Sequence, residues 1–135
     1  MSPKKELEVV AAIIERGGKV LLCQRRADDA FALLWEFPGG TVEKNESQQE
    51  ALRREIKEEL DSTIEVGPLV EVFSDEIPSL KIYVHLYKVV RFQPEPRPIE
   101  CAALGFFDFE EAGRLDLAPV DAKIVDYLRR RKEQG

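Results

Sequence analysis

The sequence predicts an α/β fold, a mixed β-sheet with helices packed against it. Three observations carry this expectation. Apolar, β-branched runs near the N-terminus and in the middle of the chain have strand composition. Two other segments, 48–60 and 119–131, repeat apolar residues at helical spacing. Turn residues mark the boundaries between these segments, and no linker, repeat or low-complexity stretch interrupts them. With 135 residues, 44% of them hydrophobic, the chain suits one domain, 1–135, built on one core.

Residues 8–15 and 19–25 read as the first two strands, with Gly17-Gly18 between them as a hairpin signal. Residues 26–36, with Phe31 and Trp35, read as a loop. Pro38, Gly39 and Gly40 read as a turn, where glycine permits positive φ and close approach of the backbone to another group. A helix follows over 48–60, with Leu52, Ile56 and Leu60 burying one stripe. Glu46 or Ser47 at its start can satisfy or electrostatically favour the unpaired amides of the first turn. Residues 63–73 and 80–92 read as two long strands joined by a turn over 74–79, which holds Pro78 and two acids. Three prolines make 93–98 a loop. A short strand over 104–107 and a short helix over 109–114 come next. Pro119 opens the last helix, 119–131, with Val120, Ile124, Val125 and Leu128 on one side.

Composition narrows the function classes. Lys+Arg of 20 against Asp+Glu of 26 gives a net charge of −6, a poor basis for binding nucleic-acid polymers. An anionic nucleotide can still bind where metal ions supply local positive charge. The start of the chain, 1–7, is polar, and the apolar run 9–14 is too short for a signal segment or a membrane span. A cytoplasmic protein without membrane partners is expected. The two cysteines, Cys23 and Cys101, read as buried free thiols, and one histidine offers no zinc ligand set.

The strongest chemical signal is G-x5-E-x7-R-E-x2-E-E, formed by Gly40, Glu46, Arg54, Glu55, Glu58 and Glu59. Glu55, Glu58 and Glu59 stand at i, i+3 and i+4, so they share one helix face and repel one another unless a cation sits among them. Mg²⁺ or Mn²⁺ suits that role, because hard cations prefer carboxylate oxygens and also bridge phosphates. A solvated charged helix is the plainer reading, since Glu50, Arg54 and Glu58 can pair at i, i+4 and i+8. The glycines upstream and the full spacing favour the site.

That pattern is the Nudix box, and the chain resembles the Nudix hydrolase family from about residue 7 to 128. The runs Val9-Val10-Ala11-Ala12-Ile13-Ile14 and Val20-Leu21-Leu22-Cys23-Gln24-Arg25-Arg26 look like its MutT branch. So do Leu34-Trp35-Glu36-Phe37-Pro38-Gly39-Gly40 and Leu117-Ala118-Pro119-Val120-Asp121. The resemblance implies an α/β/α sandwich that uses divalent metal and water to cut a nucleoside triphosphate into a monophosphate and pyrophosphate. Cytidine nucleotides are the first expectation and an oxidised purine such as 8-oxo-dGTP the second. It further implies that Glu55, Glu58 and Glu59, with the Gly39 carbonyl, bind the metal, one carboxylate also orienting or deprotonating the water. Arg54 would orient those carboxylates, and Glu100 would be metal-linked or water-activating. Arg25 would contact substrate phosphate, Asp121 would hydrogen-bond the base edge, and Phe37 would stack on or wall the base. A monomer or weak homodimer is expected.

The match departs from the family pattern at Asp61 and Ser62, where a glycine and an aliphatic residue are usual. The expected consequence is a strained or longer helix end with no metal ligand lost. A hydrolase of nucleotide sugars or dinucleoside polyphosphates is the runner-up, but it would need extra substrate-binding segments, and none is identified. A nucleotide-binding module without catalysis is the rival from another class, but it normally goes with broken metal ligands, and all three glutamates are present.

Overall fold

The computed structural model describes residues 4–134. Its strands are β1 (Lys5–Ile13), β2 (Glu15–Arg16), β3 (Lys19–Gln24), β4 (Trp35–Glu36), β5 (Gly39–Thr41), β6 (Thr63–Ile77), β7 (Leu80–Gln93) and β8 (Ala103–Phe107). Its helices are α1 (Gln48–Leu60), α2 (Phe109–Gly113) and α3 (Pro119–Gln134). The strands divide into two sheets. One runs β5-β1-β7-β6, parallel between β1 and β7 and antiparallel elsewhere. In the other, β3 pairs antiparallel with β2, β4 and β8.

The unbroken apolar run in β1 has a simple cause: the strand is covered on both faces, so neither set of alternating side chains meets water. Val10, Ala12 and Ile14 join Leu52, Ile56 and Leu60 of α1 in one core. Ala11 and Ile13 face the other way, into a second core with Ile124, Val125 and Leu128 of α3. The second sheet repeats the division, Leu21 and Cys23 facing the α1 core and Val20 and Leu22 the α3 core. The expected α/β/α layering results, with the added feature that two sheets fill the middle layer.

Several boundaries differ from the sequence reading. The stretch 74–79 is not a long turn: β6 continues to Ile77, pairing Asp75 with Ile82 and Glu76 with Lys81, and only Pro78-Ser79 remain between the strands. Acids are tolerated there because Glu76 is exposed and faces Lys4 and Lys81, while half-exposed Asp75 faces Lys123. The ladder shifts register between Glu65 and Glu71, and this irregular stretch admits Pro68 into an edge strand. Trp35-Glu36 and Gly39–Thr41, read as loop and turn, form the short strands β4 and β5.

The end of α1 shows what Asp61 and Ser62 do. Asp61 is the left-handed C-cap, at φ 50° and ψ 41°, and its N–H donates to the Lys57 carbonyl at 3.1 Å. Its carboxylate pairs with Lys57 and Arg97. Ser62 is buried and its hydroxyl donates to the Pro94 carbonyl at 2.8 Å. The helix therefore stops where a glycine would stop it, and the residues that replace the usual pair fasten the proline-rich loop. Asp61→Gly relieves left-handed strain but removes both ion pairs. The two effects oppose, so a thermal melt should stay within about 3 °C of the parent protein. A fall well beyond that would mean that the pairs outweigh the strain.

Candidate active site

The polar face of α1 starts from a well-made helix N-terminus. The Ser47 hydroxyl accepts from the Glu50 N–H at 3.0 Å, and the Glu50 carboxylate accepts from the Ser47 N–H at 3.0 Å. With Leu52, Ile56 and Leu60 fully buried, the rotation of the helix is fixed, and Glu55, Glu58 and Glu59 must lie on the face beside them.

Arg54 organises this face. Its guanidinium donates to both Glu46 oxygens, at 2.8 and 3.0 Å, to Glu55 at 2.9 Å, to Glu58 at 3.4 Å and to the Thr41 carbonyl at 3.0 Å. Those bonds hold Glu46 down to about 2, helped by the Glu43 N–H. Arg54 thus has its donors committed to protein oxygens, which fits the orienting role and leaves little for a substrate.

The glycines of β5 make room for the carboxylates. A Cβ on Gly40 would lie 2.3 Å from the Glu55 carboxyl carbon, so Glu55 packs directly on the glycine. A Cβ on Gly39 would lie 2.0 Å from the Val10 carbonyl in β1. The ladder between β5 and β1 uses Pro38, whose carbonyl accepts from Ala12, and Val42, whose N–H donates to Glu8, each at 2.9 Å. By the alternation of an antiparallel pair, Gly39 falls at a position whose carbonyl is not spent on β1, and β5 is a sheet edge.

Glu59 is half-buried, and that burial pushes it up to about 10, reinforced by its neighbour Glu55 and by the Glu36 charge. Among the described residues, no three Asp, Glu, His or Cys side chains converge on one metal-binding point, because Arg54 draws Glu55 and Glu58 to itself. The donor set nevertheless fits a hard divalent cation in its chemistry: three carboxylates and a strand-edge carbonyl, all oxygen, around a glycine that leaves space.

The proline-rich loop reaches the same place. The N–H groups of Ile99 and Glu100 donate to the Glu59 carbonyl at 3.0 and 3.2 Å, and that of Arg97 to the Leu60 carbonyl at 2.9 Å. Glu100 is therefore beside the end of α1, its side chain exposed to solvent.

Two residues expected at the substrate make contacts within the protein. Arg25 does not offer a free guanidinium. It donates to Glu36 at 3.0 and 3.1 Å, to Asp29 at 3.0 Å and to the Ala30 carbonyl at 2.9 Å, tying down the 26–36 loop. Phe37 points into the α3 core, only 4% exposed, so its ring is not placed to stack on a base. Its backbone has the polar role, since the Phe37 N–H donates to the Asp121 carboxylate at 2.9 Å. Asp121 is 6% exposed, and burial pushes it up to about 7 despite that bond.

Sequence reasoning missed Glu36. Its carboxylate, itself raised by burial against the pull of Arg25, lies close enough to bear on both Glu59 and Asp121. An acid alternating with Trp35 and Phe37 in an apolar run was the available signal. The segment is anchored from the far end of the chain: Trp35 donates to the Asp116 carbonyl at 2.7 Å and accepts from the Ala118 N–H at 3.0 Å. These contacts bring the start of α3, with Asp121, against β4.

Known proteins resemble this chain in sequence and fold. The chain is 44% identical over 122 residues to a CTP pyrophosphohydrolase of Escherichia coli K12, covering 90% of each. It is 37% identical over 129 residues to an 8-oxo-dGTP diphosphatase of Haemophilus influenzae, covering 93% of each. The solution structure of the E. coli ORF135 protein superposes with a TM-score of 0.84 at 43% identity, covering 95% of this chain and 92% of that one. Residues 4–128 match the NUDIX domain, which takes in every glutamate of the α1 face together with β5 and Asp121, and the chain belongs to the Nudix hydrolase family.

Proposed function

We propose that this protein is a nucleoside triphosphate pyrophosphohydrolase, releasing a nucleoside monophosphate and pyrophosphate. Cytidine nucleotides are its first substrate class and an oxidised purine such as 8-oxo-dGTP the second. Nudix hydrolases generally need a divalent metal; Mg²⁺ is proposed here, with Mn²⁺ able to replace it. The observation that carries the reading is the packing of Glu55 on Gly40 with Glu59, half-buried, close to it, since this collects acids where a polyphosphate would need cations. The similarity to a CTP pyrophosphohydrolase supports the choice of base.

Glu55, Glu58 and Glu59 would hold the metal, with the Gly39 carbonyl as a further ligand and Glu100 at the rim. Bound there, a divalent cation supplies charge neutralisation on the polyphosphate and a more acidic water. Arg54 gathers Glu55 and Glu58 on one side of α1, from which they would turn to a bound metal. One of these carboxylates accepts the proton of the attacking water. Asp121 uses one oxygen to hold the Phe37 N–H, and its other oxygen can accept from an exocyclic amine when ionised or donate when protonated. Arg25 acts on substrate through Glu36 and the loop it fastens. No helix of the described residues is long and apolar enough to cross a membrane. The reading places the protein in the cytoplasm beside the nucleotide pool, as a monomer or weak homodimer.

Pyrophosphate release from a panel of natural and oxidised triphosphates, with Mg²⁺ and with chelator, tests this. Chelator-sensitive release concentrated on cytidine nucleotides is expected. No release from any triphosphate would overturn the reading and direct the search to diphosphate-linked substrates.

A further inference from the structure

Cys23 and Cys101 are the two cysteines of the chain, 78 positions apart, and the fold sets them side by side. Cys23 lies in β3 at 2% exposure, and Cys101 is half-buried in the segment that leads into β8. Both pack in the α1 core. One residue beyond each, the Ala102 N–H donates to the Gln24 carbonyl at 2.9 Å, which pins the two backbones together. In that core the two thiols lie close enough for each to act on the other electrostatically.

We propose that Cys23 and Cys101 form a hydroperoxide-oxidisable dithiol whose intramolecular disulfide displaces the loop holding the end of α1 and so lowers turnover. Its effect on turnover rests on the pyrophosphohydrolase reading; the disulfide itself does not. Cys101 is the thiol that solvent reaches, so it reacts first. Its sulfur attacks one peroxide oxygen, the O–O bond breaks, and a sulfenic acid and water form. Cys23 sulfur then attacks the Cys101 sulfur, the S–O bond breaks, and the hydroxyl leaves as water with the Cys23 proton. In sum, two thiols and one H₂O₂ give one disulfide and two waters, sulfur being oxidised and peroxide oxygen reduced.

Displacement follows from which partner can move. Cys23 sits in a strand flanked on both sides, with its neighbours Val20, Leu21 and Leu22 fully buried. Cys101 is half-buried on a loop, and a covalent S–S bond is shorter than a non-bonded contact between two thiols. The loop therefore moves toward β3. That loop is the one whose Arg97, Ile99 and Glu100 amides hold the Leu60 and Glu59 carbonyls, so the shift reaches the acidic face directly. A small misplacement of catalytic groups is enough to slow an enzyme on the order of a hundredfold.

The test oxidises the reduced full-length protein with a slight excess of H₂O₂. Free thiols are counted under denaturing conditions, intact mass is measured, and amide exchange over 97–102 is followed beside pyrophosphate release. Thiols should fall from two to none with a mass loss of about 2 Da and no cross-linked dimer. Loop amides should exchange faster, and turnover should fall on the order of tenfold and return with reductant. Cys101→Ser should match the reduced protein in turnover and ignore peroxide. Two surviving thiols, or Cys101 oxidised further with Cys23 still free, would overturn the dithiol. A disulfide with unchanged loop exchange and turnover would overturn its link to the site. If the reduced protein cleaves no triphosphate, the pyrophosphohydrolase reading fails, while thiol count and amide exchange still decide the dithiol.

Discussion

Glu59→Gln should lower kcat by about 10²–10⁴-fold while leaving the circular dichroism spectrum unchanged. Glutamine has nearly the same shape, so the packing survives and only the charge is lost. A second readout separates loss of charge from loss of fold. Without divalent metal, the folded-state pKa of Glu59 lies at about 10, above its ordinary value of 4.5. The folded protein therefore binds a proton that the unfolded chain has released throughout that window, and stability falls as pH rises through it. In chelator, denaturant midpoints taken from about pH 5 to 9 should decline for the parent protein and decline less for the variant. Unchanged turnover in Glu59→Gln would remove Glu59 from the catalytic set. An unchanged pH slope would assign the proton to another group.

Gly39→Ala and Gly40→Ala should fail in opposite ways. A methyl on Gly39 meets the Val10 carbonyl at 2.0 Å, and that carbonyl belongs to the strand at the centre of the fold. Neither partner can turn aside, so the substitution should cost about 3 kcal/mol of stability, read from urea unfolding. A methyl on Gly40 meets the end of the Glu55 side chain, 2.3 Å from its carboxyl carbon. A side chain can rotate away, so stability should change by less than about 1 kcal/mol. Displacing Glu55 also takes it from Arg54, and turnover should fall about 10²-fold. A Gly40→Ala protein with parental turnover would show that Glu55 is not needed where the fold holds it.

Features set by local spacing were legible in the sequence. Leu52, Ile56 and Leu60 fixed both the existence of α1 and the face left for its glutamates. The run through Val10 and Ile14 implied a strand, though not that it would serve two cores. What escaped were contacts created by pairing. Arg25 meets Glu36 because β3 and β4 are antiparallel, with Cys23 opposite Glu36, and nothing at i, i+11 announces such a pair. Hence the loop-fastening contacts of Arg25 were not legible in the sequence. Phe37 was ambiguous for a similar reason: an aromatic beside a glycine turn faces core or ligand depending on a helix more than eighty residues on. The acids Asp75 and Glu76 suggested a turn by composition, yet a strand that sets them against lysines accepts acids as readily as a loop does.

The placement of the acids along α1 has an electrostatic consequence. Peptide dipoles add along a helix, leaving partial negative charge at its C-terminal end, where cations are favoured and carboxylates opposed. Glu58 and Glu59 lie in the last turn of α1. The helix axis itself therefore favours any positive ion that these two side chains bind. Three amides from the proline-rich loop meet the terminal carbonyls and offset part of that field. Cation affinity in this protein should thus depend on how firmly the loop is seated, as well as on the carboxylates themselves.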